Sequence, residues 1–176
     1  MKNQEKYQPG PEEIEHAGQS MSELESIMSK LRYEVLTNPE FQGKIIVFIM
    51  RGVPGSGKST IAKEIAHPTG VIHSTDQYFY DEAGQYKLDL SKLPEYHGKN
   101  FEAFCNSIES EKPIIVLDNT NIKRWEFERY LTIAKAKGYT VREVEIPPPD
   151  ASVAAKRNIH GIPEHVIRRM IEQYEK

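Results

Sequence analysis

The chain has 176 residues, a hydrophobic fraction of 38% and a formal net charge of −3, enough for one domain with a buried core and too short for two of ordinary size. No apolar stretch approaches the length of a membrane span, and the polar start Met-Lys-Asn-Gln-Glu-Lys lacks the apolar centre of a signal peptide, so the cytoplasm is the expected compartment and no membrane partner is expected. A single cysteine, Cys105, excludes an internal disulfide and a cysteine-built metal site.

The charge divides unevenly. Residues 1–40 carry four Lys/Arg and eight Asp/Glu, residues 41–176 nineteen and eighteen. A near-neutral body argues against a broad basic face for nucleic acid. A local one has two candidate places: Lys123, Arg124 and Arg129, and the set Lys156, Arg157, Arg168 and Arg169.

Residues 1–19 read as a polar lead broken by Pro9, Gly10 and Pro11. From there Met21, Leu24, Ile27, Met28, Leu31 and Val35 recur at helical spacing, Ser22 and Glu25 form a capping box, and Pro39 ends the pattern. The stripe either packs on the body of the protein or meets a partner or second copy through residues 20–37. Residues 1–40 are thus a polar lead plus helical extension, and 41–176 the main domain.

Ile45 to Met50 is a short unbroken apolar run, the pattern of a parallel strand buried on both faces. It leads into Gly52-Val-Pro-Gly-Ser-Gly-Lys-Ser-Thr60, where Gly52, Gly57, Lys58 and Ser59 fill the fixed positions of G-x-x-x-x-G-K-[ST]. Ile61, Ala62 and Ile65 then share one side of a helix, so the loop opens onto a helix N-terminus, which attracts anions. The chemistry explains the spacing. Glycines, Gly55 among them, let backbone N–H groups curve round phosphates, Lys58 reaches the β and γ phosphates, and the Ser59 hydroxyl joins a Mg²⁺ shell. Pro54, Ser56 and Thr60 complete the nucleotide-binding stretch.

Val71 to Thr75 reads as a second strand that delivers Asp76 to the edge where the phosphate loop lies. Asp76 is either a general base for an attacking hydroxyl or a helix cap. Tyr78, Phe79 and Tyr80 either stack on a substrate or pack the core and rim. Residues 81–93 form a polar excursion on the substrate side. The helix from Leu93 to Glu109 carries Tyr96, Phe101, Phe104 and Ile108, with His97 assigned to its surface and Cys105 to packing.

Ile114 to Leu117 is a third strand, followed by Asp118-Asn119-Thr120-Asn121. An acid placed there after a phosphate loop either organises Mg²⁺ or caps the next helix. That helix runs from Lys123 to Lys137 with Trp125 assigned to the core, and Thr140 to Ile146 gives a fourth strand. After Pro147-Pro148-Pro149, a short helix ends in Lys156-Arg157-Asn158. Beyond a turn at Gly161 a last helix carries Val166, Ile167, Met170 and Ile171. The basic helix end is either a lid over nucleotide phosphates or a solvated surface helix.

Taken together, the phosphate loop, Ser-Thr-Asp-Gln-Tyr-Phe at 74–79, Leu-Asp-Asn-Thr-Asn at 117–121 and Ala-Lys-Arg-Asn at 155–158 resemble the polynucleotide-5′-hydroxyl-kinase-like branch of phosphate-loop kinases over residues 44–176. The resemblance implies a three-layer α/β sandwich with a four- or five-stranded parallel sheet, ATP with Mg²⁺, and γ-phosphoryl transfer to a hydroxyl. It assigns Lys58 and Ser59 to phosphate and metal, Asp76 to the base, Asn119 to the substrate side and Arg157 to the lid; beside these, Asp118 is expected at the metal, and Tyr78 and Asn121 on the substrate side. Phe79 stands where phage polynucleotide kinase has an acceptor-contacting arginine, and only His160 lies near the place of its second lid arginine. Three functions follow: a kinase of nucleic-acid 5′ ends, a kinase of a small hydroxylated metabolite or nucleotide, and an ATP-binding switch without transfer chemistry.

Overall fold

The computed structural model describes residues 22, 23, 25–31, 33, 34, 37–39, 41 and 43–176. The expected polar lead at 1–19, and Met21, Leu24 and Val35 of the amphipathic stripe, lie outside the described residues.

Strand β1 (Ile46–Arg51) is buried along its whole length, as its unbroken apolar run requires. It lies between β3 (Ile114–Leu117) and β4 (Thr140–Glu145), with β2 (Val71–His73) beyond β3, in the parallel order β2-β3-β1-β4. Ile49 faces Leu117 across one pair and Leu117 faces His73 across the next, so these strands end level. The loops carrying Gly52–Gly57, Thr75–Asp76 and Asp118–Asn119 therefore emerge at one edge, the carboxyl edge where ligands bind in open α/β sheets.

Alternate residues of β1 serve opposite layers. Phe48 and Met50, with Val116 of β3, pack against Ile61, Ala62 and Ala66 of α1 (Lys58–Ala66). Val47 and Ile49, with Ile115 and Leu117, pack against Phe104 and Ile108 of α2 (Leu93–Glu109) and Phe127, Tyr130 and Leu131 of α3 (Arg124–Ala136). Each Val, Leu, Ile, Phe or Met side chain among them, fully buried, contributes about 1.5–3 kcal/mol, and together they fix the sheet that presents the loops. The described residues between 22 and 37 are helical, and Leu31 and Phe41 are buried in the α1 layer with Ile27 and Met28 packed against it. This part of the stripe thus packs on the protein's own core.

A third cluster joins the edge loops to the C-terminal helices. Val53 and Ile122 pack with Ala151 and Ala154 of α4 (Ala151–Arg157) and Ile167 of α5 (Glu164–Glu172). Trp125 departs from the sequence reading: it is 73% exposed. The buried stripe of α3 runs through Phe127, Tyr130, Leu131 and Ala134, and Trp125 falls out of phase with it. Three of the cations considered for a basic face are engaged, Arg124 with Glu128 and Glu143, Arg168 with Glu164, and Arg129 with the His97 carbonyl.

Candidate active site

The loop after β1 is shaped to receive an anion. Gly55 has φ +77°, and a Cβ there would lie 2.1 Å from the Ala154 carbonyl oxygen, so only glycine fits beneath α4. Gly57, at φ +90°, precedes the first turn of α1 without a side-chain cap, leaving its backbone N–H groups to an incoming ligand. A Cβ on Gly52 would meet the Ser56 hydroxyl at 2.9 Å, and that hydroxyl is itself buried with no hydrogen-bond partner among the described residues. Such an orphaned group, beside glycines with no room for a side chain, fits a phosphate cradle. Under it the Lys58 ammonium donates to Asp118 Oδ1 at 2.9 Å, both groups being buried. Ser59 and Thr60 stand exposed in the first helical turn.

The opposite wall is built from the ends of β2 and β3. A 3-10 turn, Thr75–Phe79, follows β2. It is tied down by the Thr75 N–H donating to Asn119 Oδ1 at 2.9 Å, and by the Thr75 hydroxyl 3.1 Å from His97 Nδ1. This leaves the Asp76 carboxylate half exposed, with the Tyr86 hydroxyl donating to Oδ1 at 3.2 Å and His160 Nε2 3.6 Å from Oδ2. Burial pushes the Tyr86 phenol well above its usual pKa, and the Asp76 charge adds to the shift, so Tyr86 is a neutral donor. Burial likewise pulls His97 below the usual imidazole range, with Arg129 adding and Asp76 opposing.

Lys58, Ser59, Asp76, Asn119 and Arg157 all line one cavity of about 450 Å³, together with Pro54, Gly55, Ser56, Gly57 and Thr60. That volume is in the usual range of small-molecule sites. Gly52 sits just behind, its N–H donating to the Thr120 carbonyl at 2.9 Å, and Asp118 lies beneath Lys58. Two residues expected on the substrate side are placed elsewhere. Asn121 is buried at φ +47°, its amide donating to the Met50 carbonyl at 2.7 Å, so its side chain braces β1. Tyr78 is outside the lining and packs on Tyr96, ring centroids 5.8 Å apart.

Three lining residues with polar rings stand outside the expected site: Tyr86, His97, assigned from the sequence to the helix surface, and His160, noted only as lying near the place of a second lid arginine. His97 is not a plain surface residue, because it precedes Phe101, Phe104 and Ile108 by four, seven and eleven positions and so shares their inward face. The signal that could have found Tyr86 is its place on the far arm of a hairpin. Asp81 accepts from the N–H groups of Ala83 and Gln85, Gly84 takes φ +73°, and Tyr80 pairs with Tyr86 across the turn. His160 is singled out in the sequence only by its nearness to the place of a lid arginine, and its neighbours Asp76 and Tyr86 come from distant segments.

Similarity to known proteins agrees with this geometry. A family model described as AAA domain matches residues 47–176. NEDD4-binding protein 2 of Homo sapiens is 37% identical over 140 residues, 75% of this chain and 8% of that protein. YLP motif-containing protein 1 of Rattus norvegicus is 30% identical over 155 residues, 74% of this chain and 11% of that protein. The chain thus spans about a tenth of the length of these curated relatives. A chain of the solved Pnkp1/Rnl/Hen1 RNA repair complex superposes with a TM-score of 0.57 at 17% identity, covering 78% of this chain and 46% of that one, a likeness of fold alone. Sheet, loop and flanking helices, with the matching family model, make this a phosphate-loop domain, and the loop implies binding of a nucleoside triphosphate.

Proposed function

The chain belongs to the AAA domain family, and from that premise we propose that it is an ATP- and Mg²⁺-dependent phosphotransferase that moves the γ-phosphoryl group to a hydroxyl, the acceptor being the 5′-hydroxyl end of RNA or DNA. The observation that carries this reading is the shared cavity, which the phosphate loop, Asp76 and Arg157 all line. Charge stabilisation and a base are what transfer to a hydroxyl needs.

In this reading the loop amides and Lys58 hold the phosphates of ATP. Ser59 and Asp118 would hold Mg²⁺, which supplies neutralisation of phosphate charge. Asp76 accepts the proton of the acceptor hydroxyl as that oxygen bonds to the γ phosphorus. The bond from the γ phosphorus to its bridging oxygen breaks and ADP leaves with the electron pair. Asp76 then returns its proton to solvent. Arg157, half-buried at the end of α4 and lining the cavity, offsets the charge that spreads over the transferring group. Asn119 orients the turn that carries Asp76.

One observation favours a second reading, a kinase of a small neutral acceptor. The cavity's lysines and arginine are Lys58, Lys63 and Arg157, on the loop side and the lid, while the far wall is Phe79, Tyr86, Leu88, Leu90 and Leu93. The test is transfer of labelled γ-phosphate from Mg-ATP to oligonucleotides ending in a 5′-hydroxyl or a 5′-phosphate, run at rising salt. Label on the 5′-hydroxyl strand alone, falling steeply with salt, supports the polynucleotide acceptor. Label appearing only on small hydroxylated compounds, and indifferent to salt, supports the second reading. Nucleotide binding without a labelled product in either set removes the phosphotransferase reading and leaves a switch module.

A further inference from the structure

The phosphate loop, the base and the lid are joined by contacts that their separate roles do not require. The turn between α4 and α5 is held rigid by Asn158, whose amide donates to the carbonyls of Ala155 at 2.9 Å and Ile162 at 3.0 Å and whose oxygen accepts from the Ile162 N–H at 2.8 Å. His160 sits at the apex of that turn. Its ring lies 4.2 Å, centroid to centroid, from Tyr86. Its Nε2 approaches Asp76 Oδ2 at 3.6 Å, while Nδ1 is buried with no hydrogen-bond partner among the described residues. The helix at the root of the same turn rests on the phosphate loop, with Ala154 over Gly55 and packed in one cluster with Val53.

From this geometry we propose that His160 is a positioning residue for Asp76. The lid turn brings its imidazole against Oδ2 while Tyr86 holds Oδ1, so the carboxylate is aimed at the acceptor hydroxyl only while α4 is seated on the phosphate loop. The inference rests on Asp76 being the base. A separation of 3.6 Å is longer than a formed hydrogen bond, and contacts of this kind tighten when the reacting group enters. The consequence is gating: a triphosphate in the loop draws in Arg157 and, three residues on, His160, and the base is oriented in the same movement. Transfer to stray water is then suppressed until the loop is filled and the lid is down.

The experiment is a double-mutant cycle on the full chain, measured as γ-phosphoryl transfer to a 5′-hydroxyl oligonucleotide. His160→Ala is expected to lower kcat about ten- to a hundredfold with the KM for ATP and the melting temperature unchanged. His160→Gln, which keeps a donor near the same place, recovers most of the rate. Tyr86→Phe, which leaves the lid intact, also lowers kcat. In an Asp76→Ala background, removing His160 is expected to cost nothing more, because its effect passes through the carboxylate. An undiminished His160→Ala effect in that background, or a loss confined to the KM for ATP, overturns the proposal while leaving the kinase reading standing. A wild-type protein that transfers to no oligonucleotide overturns the acceptor reading and this inference with it.

Discussion

Lys58 and Asp118 show how a single pair binds stability to function. Each is buried and each has the other at 2.9 Å. Removing one partner leaves a buried charge without a counter-ion, a change that typically costs about 3–5 kcal/mol. Asp118→Ala should therefore lower the urea midpoint more than the double variant Lys58→Met/Asp118→Ala, which removes both charges. A single variant no less stable than the double would show that Lys58 escapes to solvent. Two histidines add a pH dependence of known sign. Burial lowers the pKa of both His73 and His97 relative to the unfolded chain. The unfolded state then binds more protons between the folded values and ~6.5. Stability from these residues is complete above that pH and is lost as pH falls below it. Unfolding midpoints measured from pH 7.5 to 5 should decline, and His73→Asn, which keeps a partner for Ser107 at the 2.9 Å contact, should flatten the decline.

Among the elements, α4 and the C-terminal residues are braced against the start of the phosphate loop. Gly55→Ala would place a methyl into the Ala154 carbonyl at a left-handed φ. The expected result is a displaced α4 and a loss of at least about 1–2 kcal/mol, read as a lower melting temperature together with weaker ATP binding. Arg51, directly before Gly52, is buried between the rings of Phe127 and Tyr174, each 5.1 Å from its guanidinium carbon. It donates to the Asn121 carbonyl at 3.0 Å, to Glu145 at 2.7 Å and to the Glu175 carbonyl. The Glu175 N–H returns to the Ile122 carbonyl at 2.9 Å and its carboxylate caps α3 at the Arg124 N–H, 2.8 Å away. Removing residues 174–176 opens this sandwich and should destabilise the protein by about 2–3 kcal/mol, seen as an earlier urea transition. An unchanged transition would mean that the tail is peripheral. These braces also explain what was illegible in the sequence. Asn121 resembled a substrate residue because it ends a polar run after a strand, yet it serves the neighbouring strand through contacts seventy residues apart.

Across the whole molecule, the working edge of the sheet was legible because β1 and β3, buried in its middle, leave unbroken apolar runs and are followed at once by Gly52 and Asp118, while the shorter β2 ends at His73 and a 3-10 turn carries Asp76. The phosphate loop carries its own spacing and needed no tertiary information. Contacts between elements carry no such mark, so the places of Tyr86, His97 and His160 around Asp76 emerged only when the hairpin, α2 and the turn between α4 and α5 were assembled. The amphipathic stripe left two readings open, and its described part is settled by Leu31 lying in the α1 layer. The central claim, that the cavity moves a phosphoryl group to a hydroxyl with Asp76 as base, is tested most directly by one comparison. Phosphoryl-transfer turnover and ATP affinity would be measured on the wild-type and Asp76→Ala proteins side by side. The account predicts turnover lower by about 10²- to 10⁴-fold in the variant with ATP affinity unchanged. Equal turnover in the two proteins would contradict it.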